Sequence, residues 1–148
     1  MAILLQNRQR RLRLSWAEVR PWAEAVLRAS GLEDGEVGLR LVREKEIQEL
    51  NARFRGEDCP TDILSFSFAG TSIPGESAIL GDIVISGDAT LAQAQRYGHS
   101  PEQEFRVLWA HGVAHLMGYR DYTAEEREAM RRVERRLRRA ADVALSGR

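Results

Sequence analysis

Cysteine occurs once in 148 residues, at Cys59, and that scarcity is the first constraint on the chain. A lone thiol closes no intramolecular disulfide and builds no cysteine-based zinc knuckle, so a reducing compartment is expected and any metal must take nitrogen and oxygen ligands. Long apolar runs are missing as well: nothing approaches the roughly 20 residues that a membrane helix needs. After Met1 the stretch AILLQNRQRRLRL places apolar before basic residues, the reverse of a secretory signal, and the expected location is cytoplasmic. Excess charge of one sign is also lacking. With a net charge of zero no global field draws the chain to an acidic polymer, which leaves only local clusters. Lys45 is the sole lysine. Arg8, Arg10, Arg11 and Arg13 crowd the start, and Arg127, Arg131, Arg132, Arg135, Arg136, Arg138 and Arg139 alternate with Glu125, Glu126, Glu128, Glu134 and Asp142 near the end. The second run reads as a solvated helix face with pairs four residues apart, ahead of an RNA-binding surface. No repeat, low-complexity tract or linker is present, and residues 1–148 are expected to form one domain.

What is present follows a regular order. Residues 2–6 read as a first strand, and Ser15 as the cap of a helix with Trp16, Val19, Ala23, Val26 and Leu27 at helical spacing, stopped by Gly31. Val37, Leu39 and Leu41 alternate as a second strand, and residues 44–54 carry Ile47, Leu50 and Phe54 on one helical face. Residues 61–68 and 79–85 predict two more strands around a loop at 70–77. Ser86 or Asp88 starts a helix that ends near Gly98. Ser100, Pro101 and Gln103 then supply an N-cap, a proline in the first turn and a capping-box partner for a helix running to about Met117, with Gly118 just past its end. Phe105, Leu108, Trp109, Gly112 and Leu116 make this helix apolar enough to be central and buried. A last helix begins at Thr123, with Met130, Val133, Leu137, Ala140 and Val143 or Ala144 on its inner face. The expected fold is α+β: a small mixed four-stranded sheet packed with helices around the central helix.

The informative stretch is HGVAHLMGYRD, residues 111–121. His111 and His115 are four apart, which puts both imidazoles on one helix face about a turn from each other, within reach of one cation. Leaving the helix at Gly118, the chain can bring Asp121 back toward that face. Two imidazoles and a carboxylate leave a position open, as in catalytic rather than structural zinc sites. The competing reading is a pair of hydrogen-bonded core histidines, but two such groups in an apolar segment are hard to satisfy without a shared partner. Gly112 stands where zinc peptidases of the HExxH type carry glutamate. A peptidase would therefore need its base from elsewhere, whereas phosphodiester cleavage can rely on a metal and an arginine that neutralises the phosphate.

HGVAHLMGYRD resembles the HGxLHLxGYDH signature of the YbeY family of bacterial rRNA maturation endoribonucleases, matching at His111, Gly112, His115, Leu116, Gly118 and Tyr119. ELNARFRGEDCPTDILSFSF at 49–68 is similar to the family's ELNxxYRxxDxPTDVLSFxF element, and LGDIVIS at 80–86 to its GDI strand. The resemblance implies a zinc-dependent, single-strand-specific endoribonuclease with one metal per chain, acting on rRNA at the ribosome or its small subunit in 16S 3′-end maturation and ribosome quality control, with neither membrane nor nucleotide cofactor. It further implies His111 and His115 as ligands, His111 thereby counted with the catalytic group, and Arg55 as the contact to the scissile phosphate. Two positions depart from the pattern: Asp121 stands where the family has its third ligand histidine, and Arg120 where it has aspartate. The departure implies either a harder ligand set, with weaker zinc binding and a wider choice of divalent metal, or a degraded site. His99 is expected at an exposed helix end, and Asp82 as a strand-end hydrogen-bonding residue rather than a support for a ligand. The alternatives are a metal-dependent hydrolase of another bond, such as a peptidase, and a non-catalytic ribosome-assembly module.

Overall fold

The computed structural model describes residues 3–32, 34–68 and 78–146. Ala2 and the loop expected at 70–77 lie outside the described residues. Among the described residues four strands and five helices follow one another as β1 (Ile3–Asn7), α1 (Trp16–Ser30), β2 (Gly35–Val42), α2 (Glu44–Arg55), β3 (Ile63–Ser67), β4 (Ala78–Ser86), α3 (Gly87–Tyr97), α4 (Pro101–Leu116) and α5 (Ala124–Ser146). The sheet has the order β1-β2-β4-β3. β1, β2 and β4 run parallel, with Ile3 opposite Val37 and Val37 opposite Gly81, while β3 returns antiparallel along β4 with Ile63 opposite Ile85. This is the mixed α+β architecture expected from the order of the elements.

Alternation along the strands decides which helix covers which face. Val37, Leu39, Leu41, Ile83 and Ile85 point to one side and join Trp22, Val26, Phe105, Trp109, Val113, Met130 and Leu137 of α1, α4 and α5 in the main core. Val42, Leu64 and Val84 point to the other side and pack under Ile47 of α2. Polar tips in the main core are satisfied: the Trp109 indole donates to the Ala23 carbonyl at 3.1 Å and the Trp22 indole to Asp142 at 2.8 Å. α4 is the central helix, packed against the sheet, α1, α3 and α5.

Three local expectations change. Ser15 occupies the N-cap of α1, but its side chain makes no capping bond. Phe54 shares a helix face with Ile47, yet Ile47 is fully buried and Phe54 is 57% exposed at the end of α2. On α5 the inner face continues through Ala141 rather than Val143, which is 66% exposed, because the 3.6-residue period carries the stripe round the helix as it lengthens. Among the described residues no helix is long and apolar enough to cross a membrane.

Candidate metal centre and cleft

α4 is built to present two histidines at its C-terminal end. At its start Ser100 Oγ accepts from the Gln103 amide at 3.1 Å and the Gln103 side chain accepts from the Ser100 amide at 2.8 Å, closing the capping box expected from the sequence. At its end Gly118 adopts φ 103°, its amide donating to the His115 carbonyl at 2.9 Å. That conformation favours glycine, and it turns the chain back along the helix it has just left. Asp121 arrives 3.6 Å from His115 Nε2.

Gly112 lies on the sheet side of α4. A Cβ there would meet Ile83 methyl carbons at 2.9 and 3.0 Å and Ile63 Cδ1 at 3.1 Å. The missing HExxH glutamate thus has a steric cause: a side chain at this position would drive into the sheet instead of reaching the cleft.

His111, His115 and Asp121 each place a ligating atom within 4.8 Å of the others, so the three could hold one metal ion. Bonds of ~2.1 Å in tetrahedral geometry separate two ligand atoms by about 3.4 Å, close to the distance between His115 Nε2 and Asp121 Oδ2. The far sides of both rings are occupied in the way ligation requires. His115 Nδ1 lies 3.1 Å from the Tyr119 carbonyl, which can only accept, so the proton sits on Nδ1 and the Nε2 lone pair is free. His111 Nδ1 lies 3.2 Å from Glu134 Oε2, and the same logic applies. The rings meet edge to face with centroids 4.7 Å apart. Nitrogen and oxygen donors alone form the set, as the lone cysteine demanded; Cys59 is exposed elsewhere.

Burial presses both imidazoles toward the neutral form. At His111 the hydrogen bond and charge of Glu134, with Asp121 and Asp62 adding, outweigh burial and lift the ring above its ordinary value. At His115 burial and the neighbouring His111 prevail over Asp121, and the ring falls below it.

α5 holds the site from behind. Thr123 and Glu126 cap it reciprocally, at 2.9 and 3.1 Å. Arg127 donates to the carbonyls of Asp121 and Tyr122 at 3.2 and 3.3 Å, fixing the segment that carries the carboxylate. Two turns further on the same face, Glu134 reaches His111. The sequence placed Glu134 in a solvated charged run, but it is only 8% exposed. Its one sequence signal is the spacing of seven from Arg127, which is visible only once α5 is known to dock on α4.

The triad opens into a cleft of about 370 Å³ with walls from the end of α2, which brings Phe54 and Arg55, and from the α4–α5 connection, which brings Arg120 and Tyr122. Ile63, Ser65 and Phe66 of β3 also line it, as does Asp62, which accepts from Gln93 at 3.1 Å. Asn51, 2% exposed, donates from its side chain to the Cys59 carbonyl at 2.9 Å and so ties the end of α2 to the turn that precedes Asp62. Arg55 therefore shares the cleft with both histidines and Asp121. Two other sequence candidates do not. His99 is exposed beside Tyr97, and Asp82 lies mid-strand on the α2 side of the sheet, 3.8 Å from Arg40.

A sequence model described as Endoribonuclease YbeY matches residues 4–142. Curated proteins named Endoribonuclease YbeY are similar over most of the chain. The protein of Chloroflexus aurantiacus is 46% identical over 115 residues, covering 74% of each chain. That of Aquifex aeolicus is 39% identical over 133 residues, covering 89% of this chain and 86% of its own. A solution structure of a Thermotoga maritima protein superposes with a TM-score of 0.64 at 22% identity, covering 98% of this chain and 92% of that one, a likeness of fold.

Proposed function

This chain belongs to the Endoribonuclease YbeY family, and from that premise we propose that it is a metal-dependent endoribonuclease that cuts single-stranded RNA during maturation of the 16S rRNA 3′ end and in ribosome quality control. The observation that carries the reading is the meeting, in one cleft, of a two-histidine, one-carboxylate cluster with Arg55. His111, His115 and Asp121 hold one ion, zinc in the first instance, with other divalent metals admitted by the carboxylate. When bound, such an ion supplies Lewis acidity toward water and a phosphoryl oxygen. Glu134 and the Tyr119 carbonyl keep the proton on the far nitrogen of each ring, so that both lone pairs face the cleft. Arg55 has no ion-pair partner among the described residues and contacts the scissile phosphate, neutralising the charge that grows there as the bond breaks. The chain works as a single domain over residues 1–148, in the cytoplasm, on RNA of the small ribosomal subunit.

A peptidase built on the same helix lacks its base, and the packing of Gly112 on Ile83 and Ile63 explains why none can stand there. The test is cleavage of single-stranded RNA by metal-loaded protein beside His115→Ala and Arg55→Ala, with circular dichroism and melting as fold controls. Both variants are expected to stay folded and to lose cutting. Undiminished cutting by both, or peptide cleavage without RNA cleavage, would end the proposal.

A further inference from the structure

Two aromatic rings that line the cleft are largely exposed. Phe54 is 57% exposed and Tyr122 71% exposed. Scattered aromatic residues at a surface need no explanation, and Tyr97 on α3, 56% exposed, is one of these. Phe54 and Tyr122 differ because both line the cleft that contains His111, His115 and Asp121, and each comes with an arginine that lines it too. Phe54 precedes Arg55 on the wall made by α2. Tyr122 follows Arg120 and Asp121 on the wall made by the α4–α5 connection. Neither Arg55 nor Arg120 has an ion-pair partner among the described residues. The triad thus lies in a cleft to which each of two walls brings one ring and one guanidinium.

The ring of Phe54 and the backbone that carries Tyr122 are both held. Phe54 meets the edge of Phe66 with centroids 5.4 Å apart and has the Arg53 guanidinium 5.2 Å from its centre. Tyr122 is carried by backbone that Arg127 holds through the carbonyls of residues 121 and 122. An aromatic side chain has only two χ angles to lose when a flat apolar partner covers it. A nucleobase is such a partner, and a single strand presents its bases and phosphates at alternating positions along the chain.

We propose that Phe54 and Tyr122 stack on unpaired nucleobases on either side of the bond that is cut, while Arg55 takes the scissile phosphate and Arg120 a phosphate beside it. The proposal rests on the endoribonuclease reading and supplies its physical basis for choosing single strands. In a duplex both faces of each base are covered by neighbours, so neither ring has a surface to meet. Stacking tolerates any base, and recognition by these rings is therefore selective for unpaired RNA and weakly selective for sequence.

The experiment uses the metal-loaded full chain and a short single-stranded RNA whose cut site has been mapped, together with versions abasic immediately before or after that site. For the wild type, loss of either base is expected to lower kcat/KM by about tenfold, the size alanine substitution gives for one base–aromatic stack. Phe54→Ala and Tyr122→Ala are expected to lower kcat/KM on intact RNA by a similar factor, chiefly through KM. Each should show no further loss on the RNA that already lacks its base. Phe54→Trp and Tyr122→Phe retain a ring and should recover most of the kcat/KM that the matching alanine variant loses, whereas Tyr97→Ala, which removes an exposed ring outside the cleft, should cut at the wild-type rate. A 2-aminopurine at the flanking position should lose fluorescence on binding wild-type protein and keep it with the matching alanine variant. Cutting by the wild type that is indifferent to base loss, or losses that add fully in the variants, would overturn the stacking assignment while leaving the nuclease reading intact. A wild type that cuts no RNA would overturn both.

Discussion

Replacing Glu134 isolates the support behind the candidate metal centre from the proposed ligands themselves. Its carboxylate is buried and lies 3.2 Å from His111 Nδ1, so it would fix the ring's rotation and tautomer without being a ligand of the proposed ion. Groups in that position typically control metal affinity by about 10- to 100-fold, or about 1.4 to 2.7 kcal/mol. Glu134→Ala removes both the acceptor and its charge, and should fall toward the upper end. Glu134→Gln keeps an acceptor oxygen of the same reach and loses the charge alone, so it should stay near the lower end. The glutamine also fills the same space under α4, and the metal-free melting point should move little. The assay is competition against a chromophoric chelator with zinc, at fixed pH, alongside melts of the metal-free proteins. Affinity that stays within about twofold of wild type in both folded variants would refute the claim that Glu134 orients His111, and with it the assignment of the His111 lone pair to the cleft.

Two further outcomes concern packing and pH. Gly112→Ala should destabilise by about 1 to 2 kcal/mol in denaturant titration, because the added carbon meets Ile83 and Ile63 at 2.9 to 3.1 Å and overpacking outweighs the gain in helix propensity; a stabilised variant would show that α4 does not need that close approach. Asp88 accepts from the Glu44 amide at 2.8 Å and from Arg11 at 2.6 Å, and the Glu44 bond, against burial and with help from Arg11, holds its carboxyl below the ordinary value. A depressed folded-state value means stability that is present above the unfolded value and lost as pH falls through the folded one. Asp88→Asn should therefore be less stable than wild type by about 1 kcal/mol at neutral pH, and the two melting curves should converge in acid.

How far the site could be read in advance depended on how local its causes are. The capping box at Ser100, Pro101 and Gln103, the stop at Gly118 and the histidine pair all lie within one helix and its ends, and all appear where local rules put them. Asp121 follows from the same logic, since the turn at Gly118 leaves few directions for the next residues. Glu134 does not, because only the docking of α5 on α4 converts one acid of a charged run into a buried partner of His111. Asp82 shows the complementary limit: strand alternation assigns it a face, but which helix covers that face is decided by the whole topology, and α2 covers it. Phe54 sits at helical spacing from Ile47 and reads as core. Being in the last turn of α2, it instead leaves the sheet and leans on the edge of Phe66, which places its ring in the cleft.

Asp121 is one of the two positions where the chain departs from the signature it otherwise resembles, and it is the sharpest place to probe the proposed site. Wild-type protein, Asp121→Ala and Asp121→His, each purified without chelator, should be compared for metal content by elemental analysis and for cutting of the same single-stranded RNA. One ion per chain and cutting are expected in the wild type and in Asp121→His, with loss of both in Asp121→Ala. A full complement of metal in a folded Asp121→Ala, or RNA cutting that persists after its metal is removed, would contradict the claim that this carboxylate and the two histidines share one catalytic ion.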